Sequence, residues 1–391
     1  MSKYVSIFLP ATLGMLTAFG PFVTDFYLPV LPEMAEYFNT SPAMVSMSLT
    51  TGMIGLAGGQ VFIGPLTDKF GRRYILLGSM LLFALASALC IYSTNIMMFN
   101  VARLFQGIAG AGGIVISKSM ATDMYSGKEL ANFMAILGAI NGIAPVSAPV
   151  IGGIMSSLTN WQGIFAALMA IGLILLVCCC ILKETLQPEA RVRKNMLGIY
   201  ANLFRVFLNR TFTYSTLAEM MCHFTLFGYI SSSPFILQQI YNLSPFQFSL
   251  CFAINAFSIG VGSVFGARFK HTSNSLKYGA IDMLISTLCL GVSLVMHLPL
   301  PILIFFYVCT LFSFGLLQPG LTSTALDSER HNAGAASAIY GASCFLAGAI
   351  VSPFVTMGRI ELTSSIVIVF GAVVCRFLVM PLCRTLKMNG N

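Results

Sequence analysis

The chain has 391 residues and a net charge of +8; 57 % of it is apolar and only 9 % is charged. A soluble surface needs about 25 % charged residues, so a soluble enzyme, a nucleic-acid binder and a disordered scaffold are excluded. The chain is solvated by lipid. A spanning helix needs about 20 predominantly apolar residues. Twelve such stretches tile the sequence, near 5–30, 44–66, 74–93, 97–120, 130–156, 162–182, 212–237, 247–268, 277–298, 300–325, 334–357 and 363–385. They are continuously apolar and do not alternate with period two, which argues against a barrel. The expected fold class is therefore all-α integral membrane, twelve transmembrane helices with no soluble domain.

Orientation follows from the 21 basic residues. With an even span count both termini share a side. If that side is the cytoplasm, the inner segments hold Lys3, Lys69, Arg72, Arg73, Lys118, Lys128, Lys183, Arg191, Arg193, Lys194, Arg205, Arg210, Arg268, Lys270, Lys277, Arg330, Arg384 and Lys387. Arg359 alone falls outside, while Arg103 and Arg376 lie within spans. The positive-inside rule places both termini inside, so the net charge is topology rather than a nucleic-acid footprint. The apolar run after Lys3 passes any cleavable signal length without an A-x-A site and reads as an uncleaved span.

In span one, Asp25 stands in TDFYLPVLP (Thr24 to Pro32), roughly 12 Å below the outer end near Glu33 at the helical rise. Gly14, Ala18 and Pro21 share its helical face and would let a neighbouring helix approach closely. Between spans two and three, GPLTDKFGRR (Gly64 to Arg73) sets an Asp and two Gly among basic residues in a tight inner turn. Topology explains Arg72 and Arg73 but not Gly64, Asp68 and Gly71. In span four, RLFQGIAGAGG (Arg103 to Gly113) puts Arg103 roughly 12 Å below its outer end. That depth matches Asp25, so an Asp25–Arg103 pair, direct or through Gln106, is expected. Intramembrane ionisable groups are expensive unless paired or wetted. An acid beside an Arg, with water access, holds a proton when desolvated and loses it when paired.

Span five carries GAINGIAPVSAP (Gly138 to Pro149), echoed by GASCFLAGAIVSP (Gly341 to Pro353) in span eleven. Paired Gly/Pro-interrupted helices are the trace of a transporter repeat with its substrate site between halves, near the midplane. The longest polar connection, 183–211, is basic and partly amphipathic, with 197–208 expected along the inner membrane surface. It divides the chain into bundles 1–182 and 212–391. On span seven, Glu219 and His223 share a face at i and i+4. Glu219, about 10 Å from the inner end, either meets Arg205 or Arg210 at the interface or faces the cavity; His223 is deeper and placed to titrate or donate to a substrate. Asp282 in span nine is expected to pair with Lys277. Tyr27, Asn141, Glu219, His223 and Asn255 are the candidate cavity liners, with helix bridging the alternative for Asn141 and Asn255. All eleven Cys lie in apolar stretches, where Cys acts as a small hydrophobe. No Cys/His spacing suits zinc, so no metal and no cofactor are expected.

Gly64, Leu66, Asp68, Gly71, Arg72 and Arg73 match the G-x-L-x-D-R-x-G-R-R signature of the major facilitator superfamily, with Lys69 keeping the charge of the usual Arg. The chain resembles that superfamily along its whole length. RLFQG is similar to its R-x-x-Q-G element, and TDFYLPVLP to the Asp-bearing L-P-x-L-P element of twelve-span drug:proton antiporters. IAPVSAPVIGG (Ile143 to Gly153), LKET after span six and AGAASAIYG (Ala333 to Gly341) resemble the bicyclomycin-resistance type of multidrug exporter. One departure is SMATDMY (Ser119 to Tyr125), where Thr122 replaces the usual Arg and leaves any role for Asp123 open. The second-half loop, GARFKHTSNSLK (Gly266 to Lys277), keeps little of the signature.

The resemblance implies two pseudo-symmetric six-helix bundles in a bacterial inner membrane. It also implies proton coupling at Asp25, with Arg103 and Gln106 beside it, and a gate at Gly64, Asp68, Gly71, Arg72 and Arg73. There the Asp68 carboxylate would latch onto a helix N-terminus, that of span eleven near Asn332. The expected function is proton-driven export of small amphipathic or antimicrobial compounds by a monomer; the alternative is a proton symporter or facilitator for a sugar, amino acid or other small nutrient. The expected partners are the substrate, protons and the bilayer, with no nucleic acid. No H-E-x-x-H, G-x-S-x-G or P-loop appears, so neither an enzyme nor an ATP-driven pump is expected.

Overall fold

The computed structural model describes residues 3–191 and 203–388, so the expected surface helix lies in part outside the described residues. Among those residues the chain is helical, with no strand. Eleven helices are long and apolar enough to cross a membrane, and a bent pair, Phe8–Thr17 with Phe19–Tyr37, makes a twelfth span. In chain order the helices are α1 (Lys3–Thr17), α2 (Phe19–Thr24), α3 (Leu31–Tyr37), α4 (Pro42–Phe70), α5 (Arg72–Ile91), α6 (Ile96–Met124), α7 (Gly127–Leu158) and α8 (Trp161–Ile181). They continue with α9 (Arg210–Phe235), α10 (Pro245–Ala267), α11 (Thr272–Val295), α12 (Leu300–Ser328), α13 (Ala333–Val355) and α14 (Ile360–Met388).

Side-chain caps set several starts. Asn95 accepts the Met98 N–H at 2.9 Å to open α6, and Asn160 accepts the Gly163 N–H at 3.2 Å to open α8. Ser244 and Gln247 form a capping box at α10, with Pro245 in the first turn. Span one is not one helix, and prolines explain why. Pro21 brings no N–H to the Thr17 carbonyl and its ring crowds it; α1 stops there, and the span bends by 45°. Pro29 and Pro32 likewise deny donors to Asp25 and Leu28, and a 3₁₀ turn (Leu28–Val30) replaces the α-helix.

The chain forms two compact units, Met1–Thr40 with Thr51–Ile199, and Ser41–Thr50 with Tyr200–Asn391. In the first, α5 packs on α6 and α8, and α1 on α6 and α7. In the second, α10 packs on α12, and α14 on α9 and α11. Each unit has a seam between two of its spans where backbones touch. A Cβ on Gly107 of α6 would stand 2.1 Å from the Gly52 carbonyl of α4, and one on Gly315 of α12 would stand 2.1 Å from the Ile259 carbonyl of α10. Spans two and four in the first unit thus correspond to spans eight and ten in the second, as a repeat requires. Small residues allow such packing where lipid leaves no hydrophobic force between helices. Many large apolar side chains, among them Phe62, Ile174, Phe257 and Phe377, are exposed, which suits contact with lipid.

Candidate functional site

The break in span one organises the first polar site. Val23 lies in the last turn of α2, and its carbonyl receives the Arg103 guanidinium from α6. The other terminal nitrogen of Arg103 donates to Gln106 Oε1, and Gln106 Nε2 donates to Ser87 Oγ at 2.7 Å. The guanidinium carbon sits 4.3 Å from the Tyr27 ring centre and 5.7 Å from that of Phe165. Arg103 has no exposed surface; it is an arginine capping a helix C-terminus between aromatic faces.

The expected Asp25–Arg103 pair is not formed, directly or through Gln106. The guanidinium fork is filled by Val23 and Gln106, because α2 ends at Thr24 and its last-turn Val23 carbonyl stands at the depth where the acid was expected to reach. Asp25 is 4 % exposed, and its Oδ1 has no hydrogen-bond partner. It points into protein, not lipid. Facial counting from Gly14 to Asp25 also fails, since the helix is interrupted between them; Gly14 packs on Ile140 instead. A residue absent from the expected set, Gly152 of α7, sits against the Phe26 carbonyl, where a Cβ would stand 2.0 Å from the oxygen. Tyr27 has no exposed surface, being packed against Arg103 and Phe165 rather than standing at a cavity wall.

The second site is the turn between α4 and α5. Gly71 takes φ +99°, a left-handed value that a side chain resists, and a Cβ there would lie 2.5 Å from Glu184 Oε2. Glu184 accepts the Arg72 and Arg73 backbone N–H groups at 2.9 and 3.1 Å, capping α5. Burial alone would push the Glu184 carboxyl up, but the N–H donors of Leu186, Arg72, Arg73 and Thr185 hold it below its usual range. Arg72 donates through Nε to Asp123 Oδ2 at 3.0 Å, through Nη1 to Thr67 Oγ1 at 2.8 Å, and also to Asp68. Thr185 Oγ1 donates to the same Asp123 oxygen at 3.0 Å. Arg73 reaches the Cys180 carbonyl at the end of α8, 2.9 Å away. Gly64 carries no comparable steric demand, its virtual Cβ meeting only Val115 at 3.8 Å.

Asp68, Gly71, Arg72 and Arg73 therefore come together in the turn as expected. The acid seated on a helix N-terminus here is Glu184 on α5, while Asp68 is the partner of Arg72. Asp123 and Glu184 were missed as site residues because the signal lay in three separated segments, each unremarkable alone.

In the second unit, Glu219 is 1 % exposed and does not meet Arg205 or Arg210; its ionisable partner is His223, with Nδ1 3.5 Å from Oε1. His223 Nδ1 is 3.0 Å from the Glu219 carbonyl oxygen, and its ring meets Phe314 edge-on at 5.1 Å. One ligating atom each of Glu219, His223 and Cys344 lie within 4.8 Å of one another, a gathering that linear spacing did not disclose. Asn255 has no exposed surface and donates to the Tyr229 hydroxyl at 2.9 Å, tying α10 to α9 instead of lining a cavity. Asn141 stands exposed on α7. Asp282 accepts from Ser313 Oγ at 2.6 Å and not from Lys277, since it faces α12 inside the bundle.

The chain is 36 % identical over 349 residues to "Uncharacterized MFS-type transporter YdgK" of Bacillus subtilis, covering 88 % of this chain and 87 % of the relative. It is 27 % identical over 375 residues to the bicyclomycin resistance protein homolog of Haemophilus influenzae, covering 93 % and 92 %. It is 29 % identical over 347 residues to the multidrug resistance protein MdtL of Shewanella oneidensis, covering 85 % and 84 %. In fold it is similar to an inward-facing bacterial homolog of the human lysosomal transporter Spinster, with TM-score 0.78 and 16 % identity over 99 % of each chain. The D-xylose-proton symporter gives TM-score 0.73 at 16 % identity, over 96 % of this chain and 97 % of that one. The sequence profile of the Major Facilitator Superfamily matches residues 13–353. The chain is not an enzyme but a membrane transporter, and it belongs to the major facilitator superfamily.

Proposed function

We propose that this transporter is a proton-driven exporter of small amphipathic or antimicrobial compounds. It acts as a monomer in the bacterial inner membrane with both termini cytoplasmic, by alternating access of bundles 1–182 and 212–391 joined by the linker 183–211. The observation that carries the reading is Asp25. Its carboxyl is buried at a helix break, one oxygen lacks a hydrogen bond, and the nearby guanidinium is committed elsewhere. A carboxyl without a fixed counter-ion can exchange a proton whenever its surroundings alternate between wet and dry. Arg103 and Gln106 hold the break in place around it. The direction of transport is supported by the relatives named for bicyclomycin and multidrug resistance, since the fold serves import and export alike.

The test is growth of an efflux-deficient host expressing this chain on a panel of inhibitors, with and without a protonophore. Resistance abolished by the protonophore supports the reading, whereas accumulation of a nutrient driven by an inward proton gradient refutes export. Asp25→Asn, with membrane insertion verified, abolishes drug-dependent proton movement in vesicles. Normal proton movement from that variant refutes the assignment of Asp25.

A further inference from the structure

We propose that the second unit carries a binding site for one divalent transition-metal ion of the zinc class, formed by the Glu219 carboxylate, the His223 imidazole and the Cys344 thiolate. Glu219 and His223 stand one turn apart on α9, and Cys344 is presented by α13, which packs against α9. One donor atom from each lies within 4.8 Å of the other two. Around a tetrahedral ion bound at about 2.0–2.3 Å, donors stand roughly 3.3–3.8 Å apart, so side-chain rotations of about 1 Å close the set.

A second observation points to the ion. Glu219 Oε2 is buried and takes no hydrogen bond of ordinary length, the Tyr340 hydroxyl beside the carboxyl being engaged with Thr322 Oγ1 at 2.8 Å. A carboxylate oxygen left in that state is an acceptor awaiting an electrophile. The donor set selects the metal: thiolate and imidazole favour zinc-class ions over magnesium or calcium, which take oxygen ligands. Charge agrees as well. A divalent ion with one carboxylate and one thiolate sums to zero, so the filled site leaves no uncompensated charge in the bundle. His223 and Cys344 are only partly buried, which gives an ion a way in. Three protein donors leave a fourth position for water or for a donor atom of a chelating compound. The site stands whether or not the export reading does.

The test uses untagged, detergent-solubilised full-length protein titrated with Co²⁺. One Co²⁺ per chain binds with a near-ultraviolet thiolate-to-cobalt charge-transfer band, and Zn²⁺ displaces it. Cys344→Ser loses the band, while Cys222→Ser, which alters the neighbouring Cys222–Cys375 contact (3.4 Å between sulfurs), keeps it. Glu219→Gln and His223→Gln weaken Co²⁺ binding at least about tenfold, the smallest loss seen even for outer partners of metal ligands. If variants fail to fold, the wild-type protein still decides: Zn²⁺ slows maleimide alkylation of Cys344, read by peptide mass spectrometry. A band that survives Cys344→Ser, no saturable band, or unchanged alkylation overturns the proposal.

Discussion

Arg103 brings a charge into the packed interior of the first unit, and each terminal nitrogen has a different acceptor, the Val23 carbonyl and the Gln106 amide oxygen. Gly52 leaves the space for this, since a Cβ there would stand 3.1 Å from Nη2. Lysine has neither a fork for two acceptors nor a plane to lie on Tyr27. Arg103→Lys is expected to lose one charge-assisted hydrogen bond, worth roughly 1.5–3 kcal/mol. The loss is read as a lower melting midpoint in detergent, together with impaired transport. An unchanged midpoint with full transport would count against Arg103 as the anchor of the span-one break.

At the scale of one helix, α5 depends on an acid from another part of the chain. Glu184 takes its first two N–H groups, which have no partner within the helix. Glu184→Ala removes the cap and is expected to destabilise by about 0.5–2 kcal/mol, as helix-cap losses do. The sign of the pH effect follows from the depressed carboxyl. A group whose folded value lies below its unfolded value contributes stability above the unfolded value, and that contribution fades as pH falls through the folded one. The gap in melting midpoint between wild type and Glu184→Ala is therefore widest near neutrality and shrinks below about pH 4. A gap that widens on acidification would contradict the capping role.

For the whole molecule, the inner cluster is proposed to bias the balance of transport states. Arg72 has two acids, and they are unequal: the Asp68 side chain is 45 % exposed and that of Asp123 is 15 %. Removing the looser one leaves the turn folded around Asp123, Thr67 and Glu184. Asp68→Asn is thus expected to slow transport several-fold while drug affinity stays roughly intact, because a shift between two states need not alter contacts to substrate. Large loss of affinity with normal turnover would speak against gating. Topology has its own check. A fluorescent protein fused to the C-terminus is expected to fold and fluoresce in the cytoplasm, whereas an active alkaline phosphatase at that position would place the terminus outside.

Sequence alone determined that the chain is a membrane bundle and where its spans fall, because lipid allows few charges and demands about twenty apolar residues per crossing. It also exposed the Gly71–Arg73 turn, since a left-handed backbone and a charged cluster lie within a few adjacent residues. The partners of those residues were decided by tertiary structure. Asp123 and Glu184 meet Arg72 from two other segments, and Cys344 reaches Glu219 and His223 from a separate helix. Linear spacing carries no record of such meetings. Asp25 illustrates the limit most clearly: equal depth suggested a salt bridge, yet the break in the span leaves the Val23 carbonyl at a helix end, and the arginine takes that carbonyl. Periodicity and composition record what each segment must do in its solvent, while the choice among competing acceptors waits until helices pack and one geometry excludes the others.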